Sequence, residues 1–163
     1  MAKAKSFKTH VGLAEKTRSA MVELLNQQLA DLSDLYSQTK QAHWNVKGMN
    51  FIALHKLFDE LAEALEDYTD DLAERVTELG GMAMGTARMA AANSRLPEFP
   101  MTALDGESVV TALVERYGAA ANYVRDDIDT ADKAGDADTA DLFTEISRGM
   151  DKHLWFLEAH IQG

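Results

Sequence analysis

The sequence contains no cysteine, which removes disulfides, thiolate metal sites and thiol nucleophiles together. It has no uninterrupted apolar run of about 18 residues or more, so no membrane-spanning helix is expected. The basic start MAKAKSFKTH is not followed by an apolar stretch and does not read as a secretory signal. A cytoplasmic setting, with nucleoid association open, is therefore expected. Basic residues are scarce: 16 Lys and Arg stand against 27 Asp and Glu, a formal net charge of −11. Such a chain repels a phosphate backbone and is not an ordinary nucleic-acid binder. There is no internal repeat, and no Glu-x-x-His of the kind that places two metals inside a single four-helix bundle.

What is present suffices for one domain with a core: 163 residues, 46% of them hydrophobic. Charge is unevenly placed. Residues 1–18 hold Lys3, Lys5, Lys8, Lys16 and Arg18 against Glu15 alone, a balance of +4. Residues 1–14 show no apolar period and read as a flexible basic tail, leaving 15–163 as the domain. Met21, Leu25, Leu29, Leu32 and Leu35 keep the spacing of one helical stripe, which predicts a helix from about Glu15 to Trp44. Phe51, Leu54, Phe58, Leu61, Leu65, Leu72 and Val76 predict a second, from about Asn50 to Leu79, stopped by Gly80-Gly81. Residues 82–105 form a long connection with room for a short helix near Ala87–Ala92, its last part held extended by Pro97 and Pro100. A connection this long suits a crossover between parallel helices rather than a hairpin. Asp105 or Ser108 can cap a third long helix ending near Gly135. Asp136 or Asp138 can cap a fourth, striped by Ala140, Phe143, Ile146, Met150, Leu154 and Leu157. The expectation is an all-α four-helix bundle with one long crossover.

The stretch Lys40–Gly81 carries the chemistry. His55 and Asp59 are four residues apart, as are Asp70 and Glu74, so each pair shares a helix face. Asp59 and Asp70, however, are separated by roughly 16 Å at about 1.5 Å per residue. A metal–ligand bond is about 2 Å long, so one helix cannot offer both pairs to one ion. Two antiparallel copies, related by a two-fold axis near Ala64–Leu65, would lay Asp59 of one beside Asp70 of the other and create two identical sites. His43, near the end of the first helix, can meet His55 across the hairpin. Imidazoles with carboxylates suit iron, manganese or zinc better than calcium or magnesium. The same helix also carries Glu60, Glu63, Glu66, Asp67 and Asp71, and a solvated acidic face is the competing reading.

Gln41-Ala42-His43-Trp44-Asn45, Gly48, Asn50-Phe51-Ile52-Ala53, His55, Asp59, Asp70, Ala73-Glu74-Arg75 and Leu79-Gly80-Gly81 resemble the signature of the Dps family, the ferritin-like mini-ferritins named for DNA protection in starved cells. The resemblance continues through Ala140-Asp141, Ser147-Arg148, Asp151-Lys152 and Leu154-Trp155-Phe156. It implies a hollow shell of twelve subunits with ferroxidase sites between them. Each site would take His43, His55 and Asp59 from one subunit and Asp70 and Glu74 from its partner. It implies iron as the metal, with room for two ions and with zinc or manganese as substitutes, and hydrogen peroxide in preference to oxygen as oxidant. Trp44 would lie near the iron and intercept radicals, although an interface aromatic needs no such role. Aspartates at the start of the fourth helix would line three-fold pores, Asp141 matching best and Asp136 and Asp138 less closely, against the plain alternative of helix capping. Coating of DNA through Lys3, Lys5 and Lys8 is the second functional reading, and a metal-free structural bundle the third. Trp155 is expected to be a packing residue, His10 to be solvent-exposed, and His153 and His160 to be surface or interface residues.

Overall fold

The computed structural model describes residues 5–163, so Lys3 lies outside the described residues. Five helices follow one another: α1 Glu15–Asn45, α2 Phe51–Glu78, α3 Ala87–Asn93, α4 Gly106–Ala134 and α5 Ala137–Glu158. No strand occurs among the described residues; a single bridge pairs Lys47 with Asp105. Helices α1 and α2 form one antiparallel hairpin and α4 and α5 another, with α1 against α4 closing the bundle. The crossover runs its full length. Gly81 packs on Val22 at one end, and the Lys47 amide donates to Leu104 O at 2.8 Å at the other. Helices α2 and α4 therefore run parallel, as the length of the connection predicts.

The core is aliphatic. Leu25, Leu32 and Leu35 of α1 meet Phe58, Leu65 and Leu72 of α2, Leu113 and Val124 of α4, and Phe143 and Ile146 of α5, all without solvent exposure. Removing such side chains from water contributes about 1.5–3 kcal/mol each. Asp105 caps α4 by accepting from Ser108 N. The crossover is pinned by two arginines. Arg95 reaches back to the fully buried Asp31 of α1 at 2.6 Å and stacks over Tyr123. Arg116 of α4 donates to Glu98 O and to Gln38 Oε1.

Phe51, placed on the α2 core stripe by sequence, is 39% exposed instead, its ring lying 5.1 Å from that of His55. The second half of the basic N-terminal segment is docked. Phe7 N donates to Gly80 O at 2.8 Å, Thr9 Oγ1 donates to Glu78 O, and Val11 and Leu13 pack on the core. Gly80 has φ +81, and Phe7 O occupies the place where a Cβ would project, so only glycine fits both the helix end and the approaching chain.

Candidate metal centre

The α1–α2 hairpin brings His43 and His55 ring to ring, with centroids 3.8 Å apart and planes 19° from parallel. Each ring reaches the other's backbone. His43 Nδ1 lies 2.7 Å from His55 O, and His55 Nδ1 lies 2.9 Å from His43 O. A carbonyl only accepts, so each Nδ1 carries the proton. In the neutral ring that leaves Nε2 as the lone-pair nitrogen, fixed in orientation as metal-ligating histidines are. The second bond also does helix work: His43 O belongs to the last turn of α1, where carbonyls lack intrahelical partners.

Asp59 stands one turn beyond His55 on α2. Its Oδ1 lies 3.8 Å from His43 Nε2 and accepts from Lys40 Nζ at 2.6 Å. The Lys40 hydrogen bond, with the positive charge of Lys40, holds the Asp59 carboxyl below the usual carboxylate range against the opposing effect of desolvation. Lys40 went unrecognised in the sequence. Its signal was the three-residue spacing to His43, which places both on one face of α1.

Asp70 and Glu74 are exposed on α2, away from this cluster. Asp70 borders a surface cavity of about 550 Å³ with Glu66, Asp67 and Ser33. Among the described residues, no three or more His, Asp or Glu side chains of one chain are gathered tightly enough to hold a metal. His43, His55 and Asp59 thus form one part of the expected ligand set, and Asp70 and Glu74 form a separate one. Trp44, next to His43, is 61% exposed at the rim of a second cavity, about 460 Å³, beside Gln41 and Met101.

The three aspartates proposed for a pore separate. Asp136 is only 1% exposed. It accepts from Arg75 Nη2 at 3.0 Å, from Thr139 N at 3.1 Å and from Thr139 Oγ1 at 2.6 Å, so it caps α5 and ties it to α2. Assembly can only bury it further, and it is removed from the pore set. Asp138 and Asp141 remain exposed. Lys5 and Lys8 are exposed as well. Trp155 is not covered within the chain, being 60% exposed. His153 is half-buried rather than on the surface, set between Tyr68 and Tyr117 with its Nδ1 unpartnered, and burial pushes its pKa down. His10 and His160 are exposed. No helix among the described residues is long and apolar enough to cross a membrane.

Comparison with known proteins places the fold. The profile of the Ferritin-like domain matches residues 22–163. The chain is 45% identical to the "DNA protection during starvation protein" of Agrobacterium fabrum over 97% of its own length and 98% of the relative's. It superposes on DpsA14 from Streptomyces coelicolor with a TM-score of 0.93 at 30% identity, covering 99% of this chain and 96% of that one. The Dps protein of Vibrio cholerae O1, described as a member of a broad superfamily of ferritin-like diiron-carboxylate proteins, matches with a TM-score of 0.88 at 28% identity, over 98% of this chain and all of the other.

Proposed function

The chain belongs to the Dps family of ferritin-like proteins, and from that premise we propose that it oxidises ferrous iron at sites shared between two subunits and stores the ferric product inside a hollow shell of twelve. The observation that carries this reading is the divided ligand set. His43 and His55 stack with both Nδ1 atoms committed to carbonyls and Asp59 Oδ1 lies 3.8 Å from His43 Nε2, while Asp70 and Glu74 stand exposed further along the same helix, Asp70 about 16 Å beyond Asp59. A two-fold pairing of α2 helices completes two sites at once. Two imidazoles and three carboxylates leave coordination positions open, which suits an ion that must be released after oxidation.

Iron is the substrate here, and hydrogen peroxide is the oxidant we assign. Two ferrous ions at one site supply the two electrons that reduce peroxide, with two protons, to two waters, so no hydroxyl radical is released. Trp44, the sequence neighbour of His43 and largely exposed, is the side chain we assign to intercepting a stray one-electron oxidant. Asp138 and Asp141 draw ferrous ions to the shell. This chemistry protects DNA in the cytoplasm without contact.

Direct coating of DNA is the second reading. The exposure of Lys5 and Lys8 favours it. The docking of Phe7, Thr9, Val11 and Leu13 shortens the reach of these lysines, and twelve chains of −11 sum to −132. We therefore rank it below the iron reading.

The test mixes two variants. Asp59→Asn and Asp70→Asn shells should each oxidise ferrous iron slowly under peroxide. Dissociated and reassembled together, they form interfaces with one doubly damaged site and one intact site. Recovered oxidation in verified mixed shells supports shared sites, and its absence refutes them.

A further inference from the structure

The half-site already holds a cation. Lys40 Nζ is 2.6 Å from the Asp59 oxygen that faces His43 Nε2. An ammonium is a compact, strongly hydrated point charge on a flexible stem, able to sit on a carboxylate and to swing away from it. Lys40 is 20% exposed, so it has both a fixed partner and a way out. Among the described residues neither Asp70 nor Glu74 has an ion-pair partner of its own. On the shared-site reading, these two meet Asp59 of the other subunit. Three carboxylates at close quarters repel one another, and the repulsion grows as the interface excludes water.

We propose that Lys40 is the resident cation of the shared site: its ammonium neutralises the carboxylates while no metal is bound, so that the interface forms without metal, and an incoming divalent ion displaces it from Asp59. Two effects follow. The ammonium competes with metal; if it leaves the carboxylate free about one-tenth of the time, apparent affinity falls about tenfold. Without it, the metal becomes the only counter-charge, and assembly becomes linked to metal by mass action.

The experiment uses the full chain with zinc as a redox-silent probe. For Lys40→Met, which keeps most of the unbranched stem and removes the charge, calorimetry should show zinc binding tightened by about tenfold. In excess chelator, sedimentation should show Lys40→Met shells dissociating under conditions where the wild type stays assembled, and zinc should restore them. Lys40→Arg keeps the charge and should stay assembled in chelator. Adding Asp70→Asn to Lys40→Met removes part of the repulsion and should recover metal-free assembly. Lys40→Met shells that remain intact in chelator and bind zinc as the wild type does would overturn the proposal while leaving the shared site standing. If Asp59→Asn and Asp70→Asn do not alter zinc binding by the wild type, the shared site fails, and the resident cation with it.

Discussion

Replacing Asp136 by alanine separates a structural carboxylate from a pore carboxylate. Asp136 is 1% exposed, and both its oxygens are engaged, by Arg75, Thr139 N and Thr139 Oγ1. Loss of an N-cap costs about 1 kcal/mol. Breaking a buried ion pair by removing one partner costs about 3–5 kcal/mol. Arg75 is 13% exposed at its side chain and keeps Glu78 at 2.9 Å, which puts the second contribution at the low end. The two contributions share one side chain, and together they come to about 4 kcal/mol. For a chain of this size about 1 kcal/mol moves the melting temperature by 2–4 °C, so the fall should be about 8–16 °C. Calorimetry at fixed protein concentration reads this directly. Asp138→Ala and Asp141→Ala, on exposed positions of the same helix, should stay within about 0.5 kcal/mol of the wild type. A melting temperature for Asp136→Ala within about 2 °C of the wild type would refute the capping role and restore Asp136 to the pore.

Four other substitutions or deletions test different parts of the molecule. Asp141→Asn, alone or with Asp138→Asn, should slow mineral loading at low ferrous concentration, measured by ferric absorbance, while zinc binding at the shared site stays unchanged; equal loading rates would return both to ordinary surface residues. Burial raises the Asp127 carboxyl above the usual carboxylate range in spite of a hydrogen bond from Gln28, so its contribution to stability falls as pH rises from the unfolded value of about 3.9 through the raised folded value. Asp127→Asn should therefore melt higher than the wild type at neutral pH, with the gap closing in acid; a gap that does not change with pH would contradict this. Deleting residues 1–10 should leave shell assembly and iron oxidation nearly intact and abolish any gel-shift seen at low salt; a shift that survives the deletion would place the DNA contact on the shell itself. Gly149→Ala drives a methyl group into the Tyr68 phenol and should cost about 1–3 kcal/mol by thermal melting, whereas a neutral result would mean that Tyr68 moves freely.

The helices were legible because their signals are local. Apolar stripes on α1, α2, α4 and α5 repeat at helical spacing, and caps and glycines mark their ends, so boundaries fall within a few residues of those observed. The crossover was legible through its length. The buried charges were not. Whether Asp31 is a surface acid or a core residue depends on Arg95, sixty-four positions away, and nothing near Asp31 announces it. Asp127 depends in the same way on Gln28, ninety-nine positions away. The acidic start of α5 read as three similar aspartates, and only the approach of Arg75 from α2 sets Asp136 apart. At the candidate site, the meeting of His43 and His55 followed from hairpin geometry. The Lys40 contact did not, because a lysine beside acidic helices is usually a solvated charge. Docking of the N-terminal segment was hidden because it runs through backbone atoms and one glycine, which carry no pattern of side chains.

The exchange of hydrogen bonds between His43 and His55 bears on how the molecule should be dissected. Each imidazole is a candidate ligand and also a clasp on the neighbouring helix, and the His55 ring closes an open carbonyl at the end of α1. A mutant lacking either histidine loses a lone pair and a piece of scaffolding in one stroke, and its kinetics would blend the two losses. Asp70 and Glu74, which hold nothing in place within their own chain through their carboxylates, are the clean incisions. Work that relies on the histidine mutants alone would record the collapse of a joint as the failure of a catalyst.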